Sequence, residues 1–332
     1  MAIMRPCSKA GSSMLALLRL LADGRFHSGE ALGQVLGISR SAVWKQLQQL
    51  EVDYRVEIHK VRGRGYCLPA PLVLLDEKEL KPGLAAMALD LELHSQIDST
   101  NARVLQRVTE KAPMPCLVLA ECQVAGRGRR GRRWVSPFGE NLYYSMGLLI
   151  DGGMRQIEGL SLVVGLAVRA CLDKVGVADV ALKWPNDVLV GGRKIAGVLL
   201  ELVGDPADSC HVVLGIGINV NMKTTLGVDQ PWTSMQLATG AVVDRNALVL
   251  ALSRHLLHYL ALHRDQGFVV LRDQWESHHA WQGCEATLQS GTRSTTGTVL
   301  GVDAQGGLRM RVEGVEQVFS GGELSLRLRD DS

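Results

Sequence analysis

Nowhere among the seven cysteines of this 332-residue chain does a Cys-x-x-Cys spacing occur. Cys7, Cys67, Cys116, Cys122, Cys171, Cys210 and Cys284 are odd in number and scattered, which implies neither a disulfide framework nor a zinc site. A reducing cytoplasm is the expected compartment. No apolar run approaches the ~18 residues that a membrane span requires, so no membrane partner is expected. Residues 14–22, apolar and preceded by Arg5 and Lys9, superficially resemble a signal peptide, but Arg19 interrupts them and Asp23-Gly24 closes them without an Ala-x-Ala site. A short amphipathic helix is expected instead. Two nucleotide signatures are missing as well: no Lys-Ser or Lys-Thr follows a glycine-rich loop, and no strand-to-helix unit carries the dinucleotide glycine spacing. No Cys-His or Ser-His-Asp set offers a covalent nucleophile. His255 and His258 share a helical face without a third ligand nearby, so no metal site is expected.

What is present is an ordinary globular composition, 46% hydrophobic and 21% charged, long enough for two or three domains with their own cores. The charge is uneven. The first seventy residues hold ten Lys and Arg against five acids, although the whole chain is only +2. A basic head on a mildly acidic body assigns any nucleic-acid contact to the head.

In that head, Met14, Leu17, Leu18 and Leu21 recur at helical spacing. Ser28 caps a second helix over 29–36 with Ala31, Leu32, Val35 and Leu36 as its expected buried stripe, and Gly37 stops it. Ser39 caps a third helix over 40–50, whose inner face is Ala42, Val43, Leu47 and Leu50. Two short helices joined by Gly37-Ile38-Ser39 make a helix-turn-helix, in which Arg40, Ser41, Trp44, Lys45 and Gln48 face outward beside the cap, Ser39. Residues 56–61 and 66–68 read as strands joined by Arg62-Gly63-Arg64-Gly65, a wing with Arg62 and Arg64 placed for backbone phosphates. A protein-interaction module with a solvated basic tip is the alternative. Pro69-Ala70-Pro71 forms a stiff linker.

The body carries its chemistry in five pieces. Residues 126–133, Gly-Arg-Gly-Arg-Arg-Gly-Arg-Arg, alternate a backbone that can approach a ligand closely with forked cationic donors suited to phosphate or carboxylate. A solvated basic loop touching nucleic acid is the competing reading, and Trp134, placed to floor a pocket, favours a small molecule. Asp98-Ser99-Thr100-Asn101 precedes a helical stripe of Val104, Leu105 and Val108. One of the four caps the helix, and the rest cap or meet a polar ligand head. Residues 116–121 form a strand that delivers Gln123 and the loop, and residues 157–175 a buried scaffold helix. Lys183-Trp184-Pro185-Asn186-Asp187 is followed by a hairpin turn at Gly191-Gly192 that leaves Lys194 beside an apolar strand. That lysine needs an anionic partner, either Asp187 or a bound ligand. Residues 212–222 form a further strand in which Gly215 and Gly217 permit close approach and Asn219 can read the edge of a base.

Together these pieces, with Ser136-Pro137, Asn141-Leu142 and Arg193-Lys194-Ile195-Ala196-Gly197, resemble the biotin protein ligases, specifically the bifunctional bacterial class that also represses the biotin operon. The resemblance spans nearly the whole chain, to Arg327. It implies that Ser99, Thr100 and Asn101 line a biotin ring pocket, and that Gln123, Arg127, Gly128 and Arg129 bind the biotin tail and phosphates. Lys194 would meet the carboxylate and reacting phosphate, Asn219 adenine, and Trp232 would pack on adenine, with Trp134, Lys183, Asn186 and Asp187 on the ATP side. Substrates would be ATP, with Mg2+, and biotin. Partners would be a biotin carboxyl carrier protein, operator DNA and a second copy of the chain when adenylate is bound. The chemistry is coherent on its own terms: a carboxylate becomes an amide only after activation, and bringing two anions together requires Arg127, Arg129 and Lys194. No Ala-Met-Lys-Met acceptor motif occurs in the chain.

Residues 246–263 read as an amphipathic helix with Leu248, Leu252, Leu256, Leu260 and Ala261 on one side. From Gly283, short strands separated by Ser290-Gly291, residues 303–307 and Gly321-Gly322 suggest a small all-β barrel. The expected fold is α+β and multidomain: a winged helix-turn-helix over 1–68, a linker over 69–74, a mixed-sheet α/β ligase domain over 75–280 and a small SH3-like β-barrel over 281–332. A biotin-sensing repressor without catalysis and a lipoate-type ligase of similar architecture are the alternatives.

Overall fold

Three helices build the head: α1 (Lys9–Leu21), α2 (Gly29–Leu36) and α3 (Arg40–Tyr54). The computed structural model describes residues 9–151, 153–205, 209–224, 227–320 and 324–328. Cys7 and the Gly321-Gly322 turn lie outside them. Both expected caps form: Ser28 Oγ accepts from Ala31 N at 3.0 Å and Ser39 Oγ from Ala42 N at 3.2 Å, while Gly37 closes α2 in the left-handed region. The stripe expected on α2 is only partly buried. Leu32 is in the core, but Ala31 is exposed and Val35 is 68% exposed. The reason is that α2 packs through its glycines, since a Cβ at Gly33 would sit 2.5 Å from Ile38 O. β1 (His59–Val61) and β2 (Gly65–Cys67) form the wing, and the backbone of Tyr66 also pairs with His27.

The strap leaving the head is anchored along its length. Leu72 N donates to Ala22 O (2.9 Å), Arg19 Nη2 donates to Leu75 O (3.1 Å), and Arg19 pairs with Asp76 at 2.8 Å. The head's apolar core continues into the body through Leu74, Cys122 and Phe138, with Tyr54 stacked on Phe138 at 4.5 Å between ring centres.

The body follows as α4 (Glu77–Ala85), β3 (Asp90–His94), α5 (Thr100–Thr109), β4 (Cys116–Ala120), β5 (Leu142–Asp151), α6 (Leu160–Lys174), β6 (Val180–Lys183), β7 (Asp187–Val190), β8 (Arg193–Gly204), β9 (Ser209–Ile218), α7 (Met235–Thr239), α8 (Arg245–Gln266) and α9 (Arg272–Glu276). Its seven strands order as β3-β4-β5-β9-β8-β7-β6, with only β3 and β4 parallel. Strand alternation divides the sheet's faces. Val212, Leu214, Ile216 and Ile218 of β9 join the main core with α6 and α8, whereas Gly215 and Gly217 face the opposite side. α6 begins later than its apolar run because Gly159 enters it at φ 67°. β9 ends before its apolar run does, because Asn219 N leaves the ladder for Ile195 O (2.8 Å). Asp244 caps α8 through Asn246 N at 2.8 Å.

The C-terminal strands β10 (Glu285–Ser290), β11 (Arg293–Val302), β12 (Leu308–Val312), β13 (Val315–Phe319) and β14 (Leu324–Leu328) form an antiparallel sheet ordered β13-β12-β11-β10-β14. This is the small all-β unit expected; among the described residues no pairing joins β13 to β14 to close a barrel. No helix of the described residues is long and apolar enough to cross a membrane.

Candidate active site

On the face of the body sheet opposite α6 and α8 lies a cavity of about 760 Å3. The residues singled out in the body come together around it: Ser99, Thr100, Asn101, Gln123, Arg127, Gly128, Arg129, Trp134, Lys183, Asn186, Asp187, Lys194, Asn219 and Trp232. They arrive from separate elements. α5 contributes its first turn, β4 leads into the Gly/Arg loop, and the β7–β8 hairpin supplies the ion pair.

The polar recess is built at the start of α5. Ser99 caps the helix (Oγ to Ala102 N, 3.5 Å), and Thr100 donates to Gln123 Oε1 through both N (2.8 Å) and Oγ1 (3.1 Å). Asn101 donates to Glu201 Oε2 at 2.7 Å. Ser145 Oγ lies 2.7 Å from Thr100 Oγ1 and 2.5 Å from Asn101 Oδ1, so a single hydroxyl bridges both. Asn101 can lie on the sheet because residue 215 lacks a side chain; a Cβ there would sit 2.2 Å from Asn101 Oδ1. Gly217 likewise makes room for the Trp134 ring, 2.4 Å from where its Cβ would be. The two glycines therefore admit side chains that line the cavity.

The Gly/Arg loop is a small hairpin of its own. Gly128 N donates to Arg132 O (2.7 Å), Trp134 N donates to Gly126 O (2.9 Å), and Arg130 sits at φ 58°. Gly128 N is therefore engaged within the loop, while the guanidinium groups reach beyond it. Arg127 pairs with Glu201 at 3.3 Å, and Arg129 Nη1 donates to Asn186 Oδ1 at 3.2 Å. Burial lowers the pKa of Arg129, with Asp187 acting in the opposite direction.

Lys194 meets the partner its setting demands. Its Nζ is 2.6 Å from Asp187 Oδ1, with both side chains 16% exposed, and 5.4 Å from the centre of the Trp134 ring. The turn that places it is tight, with Gly191 at φ 55° and Gly192 at φ 74°. Lys194 N donates to Pro231 O (3.0 Å) and Thr233 N donates to Lys194 O (2.9 Å), which sets Trp232 alongside. Asn219 donates its side-chain amide N–H groups to Thr233 O (2.9 Å) and Lys194 O (3.5 Å), tying the same segment down. Lys183 Nζ stands 4.3 Å over the Trp281 ring. Buried in the cavity wall, Trp134 Nε1 has no hydrogen-bond partner, a donor in want of an acceptor.

In the head, Ser39, Arg40, Ser41, Trp44, Lys45 and Gln48 are all exposed on α3, and Arg62 and Arg64 are exposed at the wing tip. Arg64 lies 4.1 Å over the Phe26 ring.

Residues 93–219 match the Biotin/lipoate A/B protein ligase family, and residues 14–67 match a helix-turn-helix domain. The chain is 41% identical to the bifunctional ligase/repressor BirA of Escherichia coli K12, over 94% of this chain and 97% of that protein. The chain belongs to the bifunctional ligase/repressor family. Its Bacillus subtilis member is 31% identical over 90% of this chain and 94% of its own. The body resembles a biotin protein ligase from Aquifex aeolicus solved with biotin and ATP, at a TM-score of 0.62 and 30% identity, covering 72% of this chain and 99% of that one.

Several residues of this family member's site escaped the sequence reading. Glu201 sits in an apolar strand yet holds both Asn101 and Arg127. Ser145 lies in the middle of β5, where its polarity among Leu142, Tyr143, Tyr144 and Met146 was the available signal. By contrast, Arg130 and Arg132 belong to the loop that the sequence singles out and Arg327 to the end of the resemblance, and the three converge on an open cleft of about 420 Å3 beside the main cavity, joining the loop to β14.

Proposed function

We propose that the protein joins biotin to ATP, giving biotinyl-5'-AMP and pyrophosphate, and transfers the biotinyl group to a lysine of a biotin carboxyl carrier protein. The observation that carries this reading is the convergence, in one cavity, of a neutral hydrogen-bonding recess and a cationic set of Arg127, Arg129 and Lys194. In the first step a biotin carboxylate oxygen attacks the α-phosphorus and pyrophosphate leaves. Ser99, Thr100, Asn101 and Gln123 bind the ring, while Arg127 and Arg129 hold the tail and phosphates and Gly128, lining the cavity between them, lets the tail lie close to the backbone. Lys194 neutralises charge developing between the two anions, a preorganised donor that needs no rearrangement at the moment of reaction. Trp134 and Trp232, with Lys183, Asn186, Asp187 and Asn219, form the nucleotide side. In the second step the carrier's amine attacks the acyl carbon and AMP leaves.

Mg2+ would accompany the triphosphate, where it would offset phosphate charge. Among the described residues no three His, Cys, Asp or Glu groups cluster as a metal site, and phosphate and water would supply most of its ligands. The setting is the cytoplasm, where biotin, ATP and carrier meet. The units are a winged helix over 1–68, a strap over 69–74, the ligase body over 75–280 and the small β domain over 281–332.

The exposed α3 residues and wing arginines bind operator DNA, with biotinyl-AMP as corepressor. A two-fold dimer reads two half-sites, and its formation is strengthened by adenylate with a coupling on the order of 1 to 3 kcal/mol. Incubation with ATP, biotin and a carrier domain should release pyrophosphate and label the carrier; labelling by lipoate alone, or by neither acid, refutes the assignment. Sedimentation with and without biotinyl-AMP tests the coupling, which an unchanged monomer-dimer equilibrium contradicts.

A further inference from the structure

Away from the cavity, one guanidinium ties together three stretches of the chain, through two backbone carbonyls and one carboxylate, in a way that the reaction does not explain. Arg245, at the start of α8, is fully buried and pairs with Glu121, itself almost wholly buried. Its Nε donates to Val73 O at 2.7 Å and its Nη1 to Asn141 O at 2.9 Å. Glu121 in turn accepts from Leu75 N at 2.6 Å through its other oxygen. The neighbouring Asn246 repeats the grip, donating to Leu74 O (3.0 Å) and accepting from Asp76 N (2.9 Å).

The placement is what matters. Glu121 is where β4 ends and the chain sets out for Gln123 and the Gly/Arg loop; Asn141 is where that loop's far stem enters β5. Residues 73 and 74 end the strap to the head and residues 75 and 76 begin the body, and Arg19 of α1 also holds this junction, through Leu75 O and Asp76. Both stems of the ligand loop and the root of the DNA-binding head thus close on a single ion pair. A buried charged pair costs desolvation and is often no more stabilising than apolar side chains of equal volume, so stability alone does not account for it.

We infer that Glu121 and Arg245 are positioning residues that transmit ligand binding at the Gly/Arg loop to the strap carrying the DNA-binding head. This rests on the ligase reading above. Order imposed on residues 126–134 by ligand steadies the stems at Glu121 and Asn141, and the fork of Arg245 carries that steadiness to Val73 and Leu75. Local opening governs amide exchange, so Leu75 N, donated directly to Glu121, reports on the link.

Hydrogen exchange of the full chain, with and without biotin and ATP, tests it in peptides covering 72–76 and 126–134. In the unaltered protein both peptides should slow together. Arg245→Lys keeps the charge but loses the fork, and is expected to keep the loop's protection while losing about tenfold of the strap's ligand-dependent protection. Glu121→Gln with Arg245→Met, which removes both charges, should behave likewise if the lysine variant does not fold. A loop that slows in the unaltered protein while the strap does not, or a strap that responds fully in either folded variant, overturns the inference alone. No slowing of the loop in the unaltered protein overturns it together with the ligase reading.

Discussion

Replacing Lys194 by alanine separates two effects that the geometry superimposes. The first is structural: Asp187 loses its 2.6 Å partner and keeps a carboxylate in a setting where only 16% of the side chain reaches solvent. Breaking a deeply buried pair costs about 3 to 5 kcal/mol, but the open cavity edge and the nearby Arg129 cushion the loss, so about 1 to 2 kcal/mol is expected. The second is catalytic. Losing one preorganised charge at the reacting centre slows such steps by about 100 to 1,000-fold, equivalent to about 3 to 4 kcal/mol. Adding Asp187→Asn should restore stability without restoring rate, because the stranded charge is gone while the phosphate still lacks its cation. Thermal melting follows the first effect, and pyrophosphate release at saturating biotin and ATP follows the second. A folded single variant with near-normal turnover would refute the assignment. Recovery of turnover in the double variant would show instead that Lys194 serves only to neutralise Asp187.

Gly217→Ala drives a methyl group into the Trp134 ring and should weaken adenylate binding by about tenfold with a shift in tryptophan emission, since overpacking costs about 1 to 3 kcal/mol; unchanged affinity and emission would contradict the contact. Glu140 is pushed up to about 7 by burial, against Arg245 and Lys223, so the folded state holds a proton that the unfolded chain has released. Stability is therefore lost as pH rises from about 4.5 through 7, and Glu140→Gln should gain about 1 to 2 kcal/mol at pH 8 with little change at pH 4; equal gains at both pH values would exclude this cause. A fragment beginning at Leu72 should lose operator binding and retain adenylation, but melt about 5 to 10 °C lower, because Leu74, Cys122 and Phe138 lose their cover. An operator shift by that fragment, or an unchanged melting point, would contradict it.

Features decided within a few residues were legible in the sequence. The caps at Ser28 and Ser39, the stop at Gly37 and the turn at Gly191-Gly192 all follow from local backbone chemistry. The Lys194–Asp187 pair was legible for a different reason, that a lysine beside an apolar strand must find an anion. The burial of α2 was misjudged because side-chain periodicity says nothing about glycines that bring backbones together, so Val35 was expected inside. Arg127 with Glu201, and Arg245 with Glu121, were beyond reach. Their separations of 74 and 124 residues are fixed by sheet register and helix docking, which no local pattern encodes. Gly215 and Gly217 were read as room for a ligand, and Asn101 and Trp134 occupy that room first.

The short run from Leu182 to Asp187 faces two ways. Asp187 and Asn186 turn to the cavity, while the buried Trp184 donates its indole N–H to Gly306 O in the C-terminal unit at 3.0 Å. Leu182 holds the segment that leads into that unit, with backbone hydrogen bonds of 2.8 Å from Ala280 N and to His278 O, and Leu324 to Arg327 of the unit itself line the cavity. The small β domain is for that reason a wall of the enzyme more than an appendage to it. Cutting it away would strip Trp184 of its protein acceptor and bare an apolar face within a few residues of the reacting charges. Chimeras that exchange this domain between relatives should therefore be joined so that residues 182–187 and the 303–307 turn come from the same parent.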